Sequence, residues 1–311
     1  MKPLDYPYAI IRPVPTMRCN FHCEYCANTE YQPDLSRINL FAKEEVSPDK
    51  WIERLATLRP KRFPFTTVFC AREPAMYEGF SDIVNSIDYP NSSVRIYSNA
   101  STRSLDELRK VVPRNNVFLY VSYHPKFISV DEFAENAKEL TARFNIINFH
   151  AVPYPKQKEQ IEEDARVLAS MGIRVVTDHP YIGWYNGEYH FYGDIGELPK
   201  FKNRFMPYYT GEPERTVYCK SSFNHTMYGN SSMNYPIAPN GDVYACWRFI
   251  LNHSDEGILG NIFDDGFEFK DEYYECRHYG GCNMCAWDKD IIDKETGEQL
   301  DTDVVAWGRI A

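Results

Sequence analysis

The sequence predicts an α/β chain: a partial, TIM-like (β/α)6 barrel over residues 1–205 and a smaller C-terminal domain over residues 206–311. Three observations predict this. Short β-branched and aromatic runs alternate with helical periods up to about residue 180. Beyond Tyr181 the alternation stops, the chain turns rich in Tyr, Trp, Asn and Gly, and a hairpin signal follows. Eight of the nine cysteines fall into two groups, one near each end of the chain.

The first strand is YAIIRPV, Tyr8–Val14, an apolar run too short for a helix. SPDKWIERLATLR follows as a helix, with Ser47 at the N-cap and Pro48 at the first helical position, where a missing N–H is harmless. Thr66–Cys70 (TTVFC) is the second strand and YEGFSDIVNSI the second helix. Val94–Ser98 (VRIYS) is the third strand, and in its helix, SLDELRKVV, Ser104 and Glu107 have the spacing of a capping box. Val117–Ser122 (VFLYVS) and VDEFAENAKELTARF form the fourth unit. Ile146–Ala151 (IINFHA) and QKEQIEEDARVLASMG form the fifth, with Gly172 as the left-handed C-terminal cap. Ile173–Thr177 (IRVVT) ends the series. A helix between each pair of strands imposes parallel pairing with right-handed crossovers. Six units are too few to close an eight-stranded barrel, so ligands are expected at the C-terminal ends of an open one. NYPIAPNGDVYACWRF reads as a hairpin turning at Pro239-Asn240-Gly241-Asp242.

Composition narrows the function. The net charge of −10 disfavours general nucleic-acid binding, which needs cations to displace phosphate counterions. Lys200, Lys202, Arg204, Arg215 and Lys220 form a local basic cluster, read either as a solvated loop or as steering for an anionic substrate. No apolar run reaches a membrane span of about 18 residues. The start, MKPLDYPYAIIRPVP, lacks the charged and apolar regions of a secretory signal, so a cytoplasmic location without a membrane partner is expected. In that compartment clustered cysteines bind metal or do chemistry rather than form disulfides.

MRCNFHCEYCAN, Met17–Asn28, holds Cys19, Cys23 and Cys26 at C-x3-C-x2-C on the loop after strand 1. Three thiolates do not complete a structural zinc site, which takes four ligands; His22 is a possible fourth. A [4Fe–4S] cube held by three cysteines leaves one iron open for reaction.

C-x3-C-x-aromatic-C after the first strand of a β/α chain, with Tyr25 in the aromatic position, resembles the radical S-adenosylmethionine (radical SAM) superfamily over residues 8–180. The resemblance implies a [4Fe–4S] cluster whose open iron is chelated by S-adenosylmethionine. It further implies reductive cleavage to a 5′-deoxyadenosyl radical that takes a hydrogen atom from an unactivated C–H, and an electron donor such as flavodoxin or ferredoxin. CAREP, Cys70–Pro74, resembles the family's Gly-Gly-Glu-Pro segment at the end of strand 2. Glu73 and Pro74 match, while Ala71 and Arg72 stand where the glycines allow close backbone approach; Arg72 is then a candidate for substrate or cofactor carboxylate. YSNA resembles the family's Thr-Asn-Gly, which makes Ser98 and Asn99 candidate cofactor contacts, and Ser122 resembles the Ser ending strand 4. Each of these three polar residues also reads as a strand-end cap.

His124 follows strand 4, His150 ends strand 5 and His179 follows strand 6, all on the expected active face. Each is a candidate proton carrier or a buried histidine bonded to backbone, and Asp178 is a second acid/base candidate.

Cys219, the Gly241-x4-Cys246 hairpin and Cys282-x2-Cys285 resemble the SPASM and twitch auxiliary-cluster extensions of radical SAM enzymes. The resemblance implies a second, auxiliary [4Fe–4S] cluster in the C-terminal domain on Cys219, Cys246, Cys282 and Cys285. Cys276 is extra, as in fuller SPASM domains, and the spacer before Gly241 is longer than usual. Four cysteines in two separated parts suit a zinc knuckle equally well. Expected substrates are small molecules of sugar or aminocyclitol type, or peptides, with oxidation or epimerisation as the outcome; a peptide maturase is the alternative. Epimerisation needs a thiol hydrogen donor, for which Cys276 ranks first and Cys70 second. The rival of another class is a non-catalytic iron–sulfur or zinc protein.

Overall fold

The structure is a computed structural model that describes residues 8–26, 44–57, 65–88, 92–177, 182–185, 188–191, 215–220, 223–225, 231–251, 254–269, 273–279 and 290–300. The expected β/α alternation is there. Strands β1 (Tyr8–Pro13), β2 (Phe65–Phe69), β3 (Ser92–Ser98), β4 (Val117–Tyr123), β5 (Asn145–Ala151) and β6 (Val175–Val176) lie side by side in chain order. All five of these pairings are parallel. The intervening helices are α1 (Pro48–Thr57), α2 (Phe80–Ser86), α3 (Thr102–Leu108), α4 (Val130–Arg143) and α5 (Lys158–Ser170).

The helices bury one face of the sheet. Trp51 and Leu55 of α1, Phe80 and Ile83 of α2, Leu105 and Leu108 of α3, and Phe133 and Leu140 of α4 share one core with Val94, Ile96, Val117, Leu119 and Val121. Strands β3 and β4 alternate buried and half-buried residues along their length. A parallel sheet covered on both faces would be buried throughout. Here the alternate residues, Arg95, Tyr97, Phe118, Tyr120 and Ser122, remain half-exposed on the face without helices.

The helix ends differ in one place from expectation. The cap of α3 is Ser101, whose hydroxyl accepts from the Ser104 N–H, and not Ser104. Glu107 instead accepts from the Ser81 hydroxyl at 2.8 Å, tying α3 to α2. The N-cap role falls to a residue three positions earlier because Ser101 has the extended backbone an N-cap needs. After α5, Gly172 is left-handed (φ 84°) and the Ile173 N–H returns to the Leu168 carbonyl, as a Schellman end requires.

The C-terminal hairpin does not stand apart from the first sheet. Its strands β11 (Ser231–Ile237) and β12 (Asp242–Tyr244) turn through Gly241, at φ 92°, where an added Cβ would lie 2.2 Å from the Phe263 ring. Strand β11 pairs in parallel with β1, from Tyr8 opposite Ser232 to Pro13 opposite Ile237. A six-strand series leaves the outer edge of β1 unpaired, and β11 satisfies it. Strands β13 (Ile258–Asn261) and β10 (Phe223–His225) extend the same sheet. A second sheet runs β14 (Tyr274–Tyr279), β9 (Arg215–Lys220), β15 (Asp290–Asp293), β16 (Gln299–Leu300), and β7 (Ile182–Tyr185) pairs with β8 (Glu188–Phe191). A short helix, α6 (Trp247–Leu251), follows β12. The boundary expected near residue 205 lies outside the described residues. Among the described residues no helix is long and apolar enough to cross a membrane.

Candidate functional site

The loop from Val14 to Cys26 leaves the C-terminal end of β1 and carries Cys19, Cys23 and Cys26, all half-buried. Burial is the main cause that pushes the Cys19 and Cys23 thiols up to about 12. Repulsion adds to it: Glu73 and, less strongly, Cys26 and Cys23 act on Cys19, and Cys26 acts on Cys23, so the three sulfurs share one neighbourhood. Arg72 opposes the shift at Cys23.

A polar lattice holds this loop to the ends of β2 and β3. Asn99 Nδ2 donates to Asn20 Oδ1 at 2.9 Å and lies 3.9 Å from Cys19 Sγ. Asn99 Oδ1 accepts from the Ser101 N–H and the Ser104 hydroxyl, both at 3.0 Å. Asn20 Nδ2 donates to the Ser101 hydroxyl at 2.8 Å. Beneath them Glu73 is fully buried; its carboxylate accepts from the Asn99 N–H at 2.6 Å and from the Ser98 hydroxyl at 3.0 Å. Burial outweighs those bonds and raises the Glu73 carboxyl to about 7.

Ala71 and Arg72 take a backbone conformation that favours glycine. Both are left-handed, with φ of 78° and 56°. That conformation costs a non-glycine residue about 1–2 kcal/mol. Such strain persists where surrounding structure over-determines it, and here the Glu73 N–H is bonded to the Arg18 carbonyl of the cysteine loop.

The aromatic side of the loop meets His124. The Tyr25 hydroxyl is 2.9 Å from His124 Nδ1, and Cys23 Sγ is 3.8 Å from the same nitrogen. The Tyr154 ring lies 4.7 Å from that of Tyr25, and Phe21 meets the His124 ring edge-on at 5.7 Å. Burial, with His150 second, lowers His124 to about 3, so the imidazole is neutral and accepts or donates only through its tautomer. His150 Nε2 lies 2.9 Å from the Ser122 hydroxyl, so these two candidates bind each other.

Cys70 follows β2 on the helix-free face, with Arg12 Nη1 at 3.6 Å. Cys276 lies on β14 opposite Val217, and Cys219 lies opposite Tyr274. Residues 217 and 219 share a face, so Cys219 and Cys276 are diagonal neighbours on one side of this pair, both buried. Cys246, at the start of α6, packs with Val14, Met17 and Ala71 at the root of the first cysteine loop. His179, Asp178, Cys282 and Cys285 lie outside the described residues. A cleft of about 670 Å³ lined by Lys138, Ile146, Asn148, Met171 and Arg174 opens at the opposite, N-terminal ends of β5 and β6, away from the cysteine loop.

Sequence reasoning missed Asn20, Ser101, Ser104 and Tyr154. Ser101 was legible as an N-cap three residues before Ser104. Asn20 and Tyr154 carry no local signal, because only the meeting of two loops gives them partners.

No protein-family model matches this chain, and no curated protein does. Among solved structures it is similar to polyhistidine-tagged anSMEcpe with bound AdoMet, at 14% identity and TM-score 0.47, covering 83% of this chain and 76% of that one. It is also similar to native anSMEcpe with bound AdoMet and Cp18Cys peptide, at 14% identity, TM-score 0.45, and coverage of 83% and 78%. A third similar structure is Streptococcus suis SuiB bound to S-adenosylmethionine, at 13% identity, TM-score 0.39, and coverage of 84% and 64%.

Proposed function

We propose that this chain is a radical SAM enzyme whose first [4Fe–4S] cluster is held by Cys19, Cys23 and Cys26. The observation that carries the reading is the location of the triplet. It sits on the loop after β1, bonded through Asn20 and Asn99 to the polar ends of β2 and β3. The residues fit the group. All three thiols are half-buried, and those of Cys19 and Cys23, raised by burial, bind protons unless a metal core displaces them.

When loaded with S-adenosylmethionine such a site supplies a 5′-deoxyadenosyl radical, which removes a hydrogen atom from a substrate C–H. The chain's residues position the partners. Glu73 fixes the ends of β2 and β3 through Ser98 and the Asn99 N–H, and Asn99 braces the Cys19 side of the loop. Tyr25, tilted against Tyr154, and neutral His124 wall the Cys23 side. The left-handed backbone at Ala71 and Arg72 supports a close approach of main chain to the cofactor's methionine moiety, as glycines would. With dithionite and S-adenosylmethionine, anaerobically reconstituted protein is expected to form 5′-deoxyadenosine and methionine, and Cys23→Ala to form none. Undiminished turnover in that variant sinks the assignment of the cluster to these cysteines, and wild type that forms no 5′-deoxyadenosine leaves the non-catalytic iron–sulfur reading.

We further infer an auxiliary [4Fe–4S] cluster on Cys219, Cys246, Cys282 and Cys285, which brings the iron content to about eight per chain. The shared face of Cys219 and Cys276 favours Cys276 as a neighbour of that cluster, and Cys70, on the helix-free face, as the thiol donor of a redox-neutral reaction. Zinc bound to the C-terminal cysteines would replace this reading with a structural knuckle. The substrate is a small molecule or a peptide, and its product, two mass units lighter or isomeric, separates oxidation from epimerisation.

A further inference from the structure

We propose that the helix-free face of the sheet grips an oxyanion group of the substrate, a carboxylate or a phosphate, between Arg12 and Arg95, over a floor made by Tyr97 and Tyr120. The proposal rests on the radical SAM reading only in calling the ligand a substrate.

Strand register brings the two guanidinium groups together. Ile11 is opposite Thr67 and Val68 is opposite Arg95, so Arg12 and Arg95 flank Val68 on one row of the same face. Two strand spacings separate their Cα atoms by about 10 Å, a gap that two arginine side chains close easily. In the next row the Tyr97 and Tyr120 rings stack at 4.4 Å and 6°. Arg12 reaches up to this row, with Nη1 3.6 Å from Cys70 Sγ. The Tyr97 hydroxyl feels both guanidinium groups, the Cys70 thiol and the Tyr120 hydroxyl.

Arg95 is half-buried, yet among the described residues it has no hydrogen-bond or ion-pair partner. The chain has 44 acidic residues against 34 basic ones, so carboxylates are not scarce; among the described residues none is placed on Arg95. A partly desolvated guanidinium without a counterion is unfavourable, and a ligand that supplies the counterion removes that cost. The planar fork of arginine matches carboxylate and phosphate oxygens two at a time, which a lysine does not. Arg95 precedes Ser98, at the strand end beside the cysteine loop, by three residues or about 10 Å. A substrate anchored there extends its reacting C–H toward that loop, which sets its length as well as its charge.

The test is isothermal titration of the full chain, metal-free and reconstituted, with inorganic phosphate and separately with glutarate at constant ionic strength. Saturable binding is expected for at least one anion: phosphate alone assigns a phosphate-bearing substrate, glutarate alone a carboxylate, and both the shared oxyanion. Arg95→Gln is expected to weaken binding by about ten- to a hundredfold, the usual worth of hydrogen bonds to a charged group. Arg95→Lys keeps the charge but not the fork, folds if Arg95→Gln does not, and is expected to weaken binding by a smaller factor. The proposal is overturned if neither anion binds wild type, if both Arg95 variants bind as wild type does, or if S-adenosylmethionine displaces the anion competitively. Titration needs no cofactor cleavage, so a failure of 5′-deoxyadenosine formation and a failure of anion binding are separate results.

Discussion

Glu73→Gln tests how the strand ends beneath the cysteine loop are held. Burial raises the Glu73 carboxyl from an ordinary 4.5 to about 7. In the unfolded chain it ionises near 4.5, while in the folded protein it keeps its proton until about pH 7. Folding therefore binds a proton between these values. The stability it contributes is complete below pH 4.5, falls as pH rises through 7, and is flat above. At 1.36 kcal/mol per pH unit the loss is roughly 3 kcal/mol. Glutamine stays neutral and is free of this loss. Its amide can offer its oxygen to the Asn99 N–H and its nitrogen to the Ser98 hydroxyl, leaving a pH-independent offset of about 1 kcal/mol. Urea unfolding of metal-free wild type and variant across pH 4 to 8.5 measures the difference. The expected result is a variant that gains on wild type by roughly 3 kcal/mol across the range. A difference that stays constant with pH would refute the reasoning, because it would mean that the hydrogen bonds from Ser98 and Asn99 cancel the effect of burial.

The remaining expectations use the same metal-free chain. Ser101→Ala removes the α3 cap and the acceptor of Asn20, and is expected to cost about 1–2 kcal/mol in urea; a loss under a few tenths would show that the cap does not bear on stability. Arg72→Gly relieves a left-handed backbone and is expected to stabilise the fold by about 1 kcal/mol, with no gain counting against strain at this site. His124, lowered to about 3, is expected to show no imidazole titration by NMR between pH 5 and 8; a midpoint near the ordinary 6.5 would contradict its burial.

Local pattern determined the series of strands and helices. A parallel β/α unit writes its own periodicities, so β1, β3, β4 and β5 were legible to within two residues at each end, and α4 and α5 with them. The cysteine triplet was legible for the same reason, since its ligands lie within eight residues of one loop. Only tertiary structure decided which polar residues meet. Ser122 and His150 lie 28 positions apart, yet parallel register sets them side by side. The left-handed backbone at Ala71 and Arg72 was not legible, because side chains there argue against a conformation that the surrounding loop imposes. The place of the hairpin was not legible either. Its turn residues are local, but its partner β1 lies more than 200 residues away, and a strand's own sequence does not name the edge it will satisfy. Arg12 and Arg95 read as ordinary strand residues until the register put them on one row. Charge on a sheet face is a sum over neighbouring strands, and one strand's sequence holds only its own part of it.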